Sequence, residues 1–377
     1  MNKYAAKLRK LEGALIDRFD PWQASNLLKS SSPGFNWLFG KTYGMPFGYS
    51  TLLWGEQKSG KSLLFYDLAG QCHQQYPDSI VIKFDTEYRD DAQLDEDRAR
   101  MFGIDLDRFI VFQCNKPEGV FDRIHNDVAA LCDEGANVKL MGIDSISALM
   151  GRREAVQETV SQHQIGDHAV TLQVGLKSIL EMQRKNRIHL VLAAHARDEM
   201  DALEVKRGNK KKPAAANAVK HHCEFFINVE RNKNAKGRQD ELENKFEDET
   251  KKDMDDKASE QTGHKVIVWM QDSTMGPKNR VAEFTLDYEK GIVNQHEEIF
   301  KLGKSWNVIE RVNAQVYKIG SEEFRGKPAI LNALATRPDL QKVVLAGLLE
   351  REKTVGSVVI SEEQAEKEFE APENEAE

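Results

Sequence analysis

The sequence predicts an α/β protein built on a mostly parallel, doubly wound sheet. Short apolar runs alternate with amphipathic helices as far as residue 195, which is the order of elements that produces a parallel sheet. Beyond residue 220 three more strands follow without helices between them, so the sheet is expected to finish with antiparallel strands. A glycine-rich stretch, GEQKSGKS, joins the strongest early strand to a helix.

The individual elements follow from apolar runs and from apolar spacings of three and four residues. Strands are predicted at 50–54, 79–84, 109–112, 138–143, 188–194, 223–230, 265–270 and 281–288. Helices are predicted at about 63–69, 90–102, 120–131 and 165–184.

Composition divides the chain into four regions. Residues 1–30 favour a helix and a polar connection, and 31–295 hold the α/β core. Within that core, 232–263 is almost wholly charged and polar, which is typical of a solvated, partly disordered loop. Residues 296–360 predict a small, mainly helical domain, and the acidic stretch 361–377 predicts a disordered tail.

Charge and cysteine content narrow the class of protein. The net charge is −8 and the pI is about 5.8, which argues against a uniformly basic nucleic-acid binder. The tail carries much of that negative charge, so local basic patches remain compatible with the sequence. No apolar run is long enough for a transmembrane helix, and the N-terminus lacks the apolar region of a secretory signal. Four scattered cysteines indicate reduced thiols in a cytoplasmic protein without a zinc site.

The glycine-rich stretch fits the phosphate-binding pattern G-x-x-x-x-G-K-[ST]. It consists of Gly55, Glu56, Gln57, Lys58, Ser59, Gly60, Lys61 and Ser62. The backbone N–H groups of such a loop surround a triphosphate at a helix N-terminus. Lys61 would reach the β- and γ-phosphates, and the Ser62 hydroxyl would hold Mg²⁺. The sequence therefore predicts a nucleoside triphosphate site.

Polar side chains follow three other strands at the edge where the phosphate loop would lie. Asp144 fits the carboxylate that holds Mg²⁺ beside Ser62, although a helix N-cap would give the same pattern. Asp85 and Glu87, two residues apart, are expected on one face, and Glu87 is the candidate to polarise the attacking water. A solvated strand end is the alternative. His195 could bind the γ-phosphate or that water, although a lone histidine is more often structural.

Two loops near these strand ends carry positive charge. The loop 196–216 predicts a flexible basic segment able to hold a nucleic-acid backbone, and 151–166 is a second candidate. An ordinary solvated lysine loop is the alternative for the first. The candidate side chains are Lys206, Arg207, Lys210, Lys211 and Lys212 in one loop and Arg152 and Arg153 in the other.

Together these residues resemble the RecA-type strand-exchange ATPases, most closely the phage branch that includes UvsX. The resemblance covers about residues 30–295 and rests on GEQKSGKS and on four short motifs in order. Those motifs are Asp85-Thr86-Glu87, Ile143-Asp144-Ser145, Ile165-Gly166-Asp167-His168 and Asn217-Ala218-Val219-Lys220. It implies a RecA-like P-loop core that hydrolyses ATP with Mg²⁺, forms helical filaments on single-stranded DNA and pairs it with homologous duplex.

The resemblance also assigns roles. The two basic loops would bind DNA, Glu87 would be the catalytic glutamate, and residues 1–30 would pack on the next subunit. RecA proteins have glutamine where His195 stands, and a histidine there resembles the phage branch. The acidic tail resembles tails that compete with DNA, and single-strand-binding and loader proteins are further expected partners.

The sequence departs from the family in three places. The family's two neighbour-contacting lysines are absent after strand 265–270, which leaves Lys278 or Arg280 as candidates for contact with the neighbour's ATP. The helix after Glu87 is longer, so Asp95 and Arg98 are the candidate adenine contacts. Ala214–Ala216 replaces a glycine-rich segment and would be stiffer.

Two other functions remain open at this point. A ring-forming helicase or signalling ATPase could use the same core, with Arg280 as its arginine finger. A recombinase-like accessory protein with weak hydrolysis would also explain the absence of the lysine pair.

Overall fold

The computed structural model describes residues 20, 23–90, 92–151, 167–200, 206, 210–214, 216–232, 262–313 and 315–355. The predicted N-terminal helix, most of the charged insertion and the acidic tail lie outside these residues. The chain divides into two compact units, Met1–Asn294 and Gln295–Glu377. Within the described ranges, no helix is long and apolar enough to cross a membrane.

The first unit alternates strands and helices. Its strands are β1 (Leu27–Leu28), β2 (Met45–Pro46), β3 (Ser50–Gly55), β4 (Ile80–Asp85), β5 (Phe109–Gln113), β6 (Val138–Asp144), β7 (His189–Asp198), β8 (Lys211–Pro213), β9 (Phe225–Arg231), β10 (Gly263–Ser273), β11 (Val281–Asp287) and β12 (Gly291–Val293). Its helices are α1 (Pro33–Trp37), α2 (Lys61–Gln75), α3 (Ala92–Phe102), α4 (Glu118–Val128, continuing as Ala129–Asp133), α5 (Asp167–Lys185) and α6 (Ala216–Val219), with 3₁₀ turns at Ala24–Asn26 and Gly40–Thr42.

The central sheet confirms the predicted fold class. Its strand order is β12-β11-β10-β9-β3-β7-β6-β4-β5 among the described residues, with β8 paired to β7 off this path. Neighbours from β9 to β5 run parallel, whereas β9, β10, β11 and β12 pair antiparallel in turn. The helical segment 118–128 is wound as a π-helix, which the sequence pattern does not distinguish from an α-helix.

Helices cover both faces of this sheet. Successive side chains of a strand point to opposite sides, and because both sets are apolar here, both faces have to be buried. On β3, Leu53 packs into the cluster that contains α2, whereas Leu52 and Trp54 pack into the cluster that contains α4 and α5. All three side chains are buried. The first cluster also takes in the aromatic segment between α1 and β3, including Phe35.

Parallel registers bring the polar strand ends together. Gly55 pairs with His195 across β3 and β7, and Asp85 pairs with Asp144 across β4 and β6. Because β6 and β7 are also neighbours, all four strand ends meet at one edge of the sheet. The sheet therefore assembles the candidate site from distant parts of the chain.

The prediction that 196–216 is wholly a flexible loop is wrong at both ends. Strand β7 continues past His195 to Asp198, and Ala196–Asp198 pairs antiparallel with Lys211–Pro213. Arg197 and Asp198 are polar and do not continue the apolar run, so the sequence pattern did not predict this extension. We call this two-stranded segment, residues 196–198 and 211–213, the basic ribbon.

The second unit is more mixed than the predicted helical domain. It contains α7 (Gln295–Ser305), α8 (Lys327–Thr336) and α9 (Pro338–Val355), and a three-stranded antiparallel sheet of β13 (Ile309–Arg311), β14 (Val316–Ile319) and β15 (Glu322–Arg325). Its strands are three or four residues long, which is too short for alternation to identify them in the sequence, and β15 is largely charged. Ile330, Leu334, Val344 and Leu348 form the buried stripes of α8 and α9.

Candidate active site

The phosphate loop occupies the turn between β3 and α2, and two of its positions require glycine. A Cβ on Gly55 would lie 2.0 Å from the carbonyl oxygen of Val229, and Gly60 has a φ of +105°, a conformation that other residues rarely adopt. Gly60 directly precedes the first helical residue, Lys61. The first N–H groups of α2 therefore face the same turn, as an anion site requires.

The Lys61 side chain is folded back onto its own loop. Its Nζ donates to the carbonyl oxygens of Gly55 at 3.0 Å and Glu56 at 2.7 Å, and lies 3.4 Å from Ser59 Oγ. Burial lowers the pKa of Lys61 to about 8, even though the nearby Asp144 and Glu87 carboxylates favour its charged form. A bound phosphate would supply the negative charge that this buried ammonium lacks.

Ser62 and Asp144 form an oxygen-rich pair beside Lys61. Ser62 Oγ donates to Asp144 Oδ2 at 2.6 Å. Within 145–151 the chain turns without starting a helix, so Asp144 is not a helix N-cap. A hydroxyl and a carboxylate are the oxygen ligands that Mg²⁺ prefers, and the pair fits that ion.

Asp85 fixes the turn that follows β4. Its carboxylate accepts hydrogen bonds from the backbone N–H groups of Glu87, Arg89 and Asp90 at 3.1, 2.8 and 2.9 Å. The strand ends at Asp85, so the expectation that Asp85 and Glu87 continue one strand face is wrong. Asp85 instead shapes the loop that presents Glu87.

Glu87 lies at the centre of a hydrogen-bonded cluster. Its Oε1 lies 2.7 Å from His195 Nε2 and accepts from Ser145 Oγ at 2.5 Å, while Oε2 lies 2.8 Å from Arg89 Nε. The hydrogen bond from His195 is the largest cause that lowers the pKa of Glu87 to about 2. A carboxylate with so low a pKa accepts hydrogen bonds well but is a weak base at neutral pH.

His195 connects this cluster to the basic ribbon. Its backbone N–H donates to Ser147 Oγ at 2.9 Å, and its carbonyl accepts from the N–H of Ala214 at 2.9 Å. Among the described residues, no hydrogen-bond partner reaches its Nδ1. On the other side of the phosphate loop, Lys211 of the ribbon pairs with Glu56 at 2.6 Å. The ribbon thus contacts the site through His195 and through Glu56.

A cavity of about 300 Å³ lies in front of these groups. Its lining contains the phosphate loop from Gln57 onward, Glu87, Asp144 and His195, so the sheet brings these predicted residues together. His264 and Tyr288, whose rings are 5.6 Å apart, also line it. Sequence analysis missed both: His264 is the second residue of β10 and Tyr288 directly follows β11, and neither single residue fits a motif.

The remaining candidates are placed differently. Lys206, Lys210, Lys211 and Lys212 are exposed, and Lys212 pairs with Glu199 at 2.7 Å. Of Asp95, only its place in the α3 backbone is described. Arg152, Arg153 and Arg207 lie outside the described residues.

The two candidates for a neighbour's nucleotide are engaged within their own chain. Lys278 pairs with Asp272 at 2.6 Å, and Arg280 donates to the carbonyl of Trp37 at 2.9 Å while its guanidinium lies over the Trp37 ring. Neither is part of the cavity lining formed by the described residues. A contact with a second copy stays a prediction for both.

Comparison with known proteins identifies relatives of the whole core. Residues 24–293 match the model of the RecA N-terminal domain. The chain is 24% identical over 308 residues to Protein RecA of Oleidesulfovibrio alaskensis, which covers 81% of this chain and 78% of that protein. It is 22% identical over 310 residues to Protein RecA of Francisella tularensis, covering 81% and 76% of the two chains.

The low pKa of Glu87 predicts a measurable acid sensitivity. Its carboxyl titrates near 4.5 in the unfolded chain and about 2 in the folded protein, so ionised Glu87 stabilises the fold above pH 4.5 and this contribution is lost as the pH falls toward 2. Between about pH 5 and 3, we expect the free energy of unfolding to fall less steeply with decreasing pH in Glu87→Gln than in the wild-type protein. The difference in slope corresponds to at most roughly one bound proton. His195→Ala should make this slope shallower too. Urea unfolding at several pH values measures the slope, and a slope unchanged from the wild type in both variants would contradict the proposed stabilisation of ionised Glu87.

Proposed function

The chain belongs to the RecA family and is a RecA-type recombinase, and from that premise we propose how its site drives the reaction. The family is one of DNA-dependent ATPases. We propose that ATP binding builds a helical filament of this chain on single-stranded DNA, which pairs with homologous duplex, and that hydrolysis releases the DNA. The observation that carries the proposal is the hydrogen-bonded path from Glu87 through His195 to the basic ribbon.

In this proposal the phosphate loop holds the triphosphate. The backbone N–H groups at the start of α2 face the phosphates, and Lys61 turns from its own loop carbonyls to the β- and γ-phosphates. Ser62 and Asp144 would hold Mg²⁺, which would supply positive charge to the phosphate oxygens.

His264 and Tyr288 offer ring surfaces for the base. Arg98, an adenine candidate from the sequence, is held by Asp90 and the Tyr66 hydroxyl. An adenine contact by Asp95 stays a prediction.

Glu87 acts on the attacking water as a hydrogen-bond acceptor. While His195 holds Glu87, the low pKa of Glu87 makes proton removal inefficient, whereas orientation of a water molecule needs only the carboxylate oxygens. In the arrangement described, one of those oxygens is shared by His195 and Ser145. Release of Glu87 by His195 would therefore free one acceptor position on that oxygen for water, and would also shift the strand that carries the ribbon.

The basic loop then responds to the nucleotide. Because Ala214 binds the His195 carbonyl and Lys211 binds Glu56, a shift at either contact changes how the lysines face DNA. Phosphate contacts supply affinity without sequence preference, and base pairing supplies the specificity. Arg152, Arg153, Lys206, Arg207, Lys210 and Lys212 would provide further phosphate contacts.

We further propose that the chain belongs to the UvsX-like phage branch and works in the host cytoplasm. The histidine at 195 supports this assignment, because the resemblance gives glutamine there in RecA proteins. In a filament, Lys278 or Arg280 would contact the neighbour's ATP, and single-strand-binding and loader proteins would be its partners.

We expect single-stranded DNA to stimulate ATP hydrolysis, with negative-stain images of the same samples showing helical filaments. Lys61→Ala should abolish both, because the triphosphate loses its main cationic contact. Steady-state phosphate release measures the turnover. Stimulation with closed rings would favour the helicase or signalling alternative, and absence of stimulation would favour an accessory protein.

The basic loop predicts a salt-dependent contribution to DNA affinity. Replacing Lys206, Arg207, Lys210, Lys211 and Lys212 by glutamine should weaken binding of single-stranded DNA. It should also lower the slope of log affinity against log salt by roughly 0.7 for each DNA phosphate that the loop no longer neutralises. Fluorescence anisotropy at several salt concentrations measures both quantities.

A matched control removes the same charge elsewhere. Five exposed lysines of the second unit, Lys301, Lys304, Lys327, Lys342 and Lys353, can be replaced by glutamine in the same way. The proposal expects a smaller change in slope for this control. Equal changes in both variants would mean that the loop contributes only net charge.

A further inference from the structure

A buried lysine lies behind the candidate magnesium site. Lys83, in the middle of β4, has a side chain that is 2% exposed. Its Nζ lies 2.5 Å from Asp90 Oδ2, donates to the Tyr66 hydroxyl at 3.0 Å and lies 3.7 Å from Asp144 Oδ2. Asp144 Oδ2 is the same oxygen that accepts from Ser62. One carboxylate oxygen therefore faces both the phosphate loop and a buried cation.

A second cation reaches the same cluster from helix α3. Arg98 Nη1 donates to Asp90 Oδ1 at 2.5 Å and to the Tyr66 hydroxyl at 2.7 Å, and that hydroxyl donates to Asp90 Oδ2 at 2.8 Å. The Lys83 and Arg98 cations lie 4.7 and 4.5 Å from the centre of the Tyr66 ring. Burial raises the pKa of Asp90, but the charge of Lys83 and the hydrogen bonds around it keep the pKa below its usual value.

Lys83 has a carboxylate on two sides. Burying a cation is costly, so each nearby negative charge helps to offset the Lys83 ammonium. Asp90 lies at 2.5 Å, and Asp144, whose side chain is 17% exposed, lies at 3.7 Å. Asp144 is thus shared between a buried ammonium and the candidate magnesium site.

The cluster also reaches the loop that presents Glu87. Asp90 ends that loop: its backbone N–H donates to Asp85, and its carbonyl accepts from Gln113 Nε2 at 2.6 Å. Lys83 therefore contacts one carboxylate on each side of the site, Asp144 at the end of β6 and Asp90 beyond Glu87.

We propose that Lys83 is a positioning residue that orients the Asp144 carboxylate and competes for it as a cation, and thereby sets the affinity of the site for Mg²⁺. The inference rests on the proposed role of Asp144 in holding that ion. The Lys83 ammonium and Mg²⁺ are like charges that share one carboxylate, so each weakens the binding of the other. A stronger ion pair between Lys83 and Asp90 leaves Asp144 more available to Mg²⁺. The Mg²⁺ concentration that the protein needs for half-saturation should therefore depend on that ion pair.

Two substitutions test this with opposite expected signs. Lys83→Met keeps the side-chain length and removes the charge, so the Mg²⁺ concentration for half-saturation should fall by about fivefold. Asp90→Asn leaves Asp144 as the carboxylate partner of Lys83, so that concentration should rise by about the same factor. The measurement is binding of a fluorescent, non-hydrolysable ATP analogue at increasing Mg²⁺, which needs no turnover.

Tyr66→Phe is the matched control. It removes a hydroxyl that bonds to Lys83, Arg98 and Asp90 but changes no charge, so the magnesium requirement should stay within about twofold while the free energy of unfolding falls. Urea unfolding of each variant checks this decrease. If Lys83→Met does not fold, the rise in Asp90→Asn still tests the direction.

Each result has one meaning. Opposite shifts in the two charge variants support the role of Lys83. Shifts in the same direction, or no shift in either, overturn it and leave a structural cluster. Analogue binding by the wild-type protein that does not depend on Mg²⁺ would instead overturn the proposed function of Asp144, which separates the two failures.

Discussion

The hydrogen bond between His195 and Glu87 is the contact on which the rest of this site depends. It joins the end of β4 to β7 across the intervening strand β6, at a distance of 2.7 Å. Each residue also has further contacts. Glu87 binds Ser145 and Arg89, and the strand that contains His195 continues into the basic ribbon. Apart from this bond, the exposed Glu56–Lys211 pair joins the phosphate loop to the ribbon, and exposed pairs are weak couplings.

The strand registers make that bond possible. Gly55 and His195 are paired residues, as are Asp85 and Asp144, so the side chains meet without long loops having to position them. Thr86 reinforces the edge, since its hydroxyl donates to the carbonyl of Ser145 and accepts from the Ser145 N–H. Rigid strand ends can hold a reacting group more closely than a loop alone. Asp85 extends this rigidity to the loop that carries Glu87.

The sequence predicted the parts of the site whose signal is local. Ser62 and Asp144 each follow a recognisable strand, and parallel strands end at one edge, so their meeting followed from the fold class. Lys83 gave no such signal, because a lysine inside an apolar run resembles an exposed strand position until its partners Asp90 and Tyr66 are placed. Tyr288 is a single residue outside any motif. The basic ribbon depends on pairing between β7 and a segment 13 residues further on, which local periodicity does not encode.

Hydrogen exchange at the basic ribbon tests most directly whether the candidate nucleotide cavity is connected to the ribbon that we propose binds DNA. The measurement compares amide exchange in 196–198 and 211–214, including the Ala214 N–H that binds the His195 carbonyl, with and without a non-hydrolysable ATP analogue and Mg²⁺. The account predicts that the analogue changes exchange there in the wild-type protein. It predicts a much smaller change in His195→Ala at saturating analogue. Equal changes in both proteins, or an unchanged ribbon in the wild type, would contradict it.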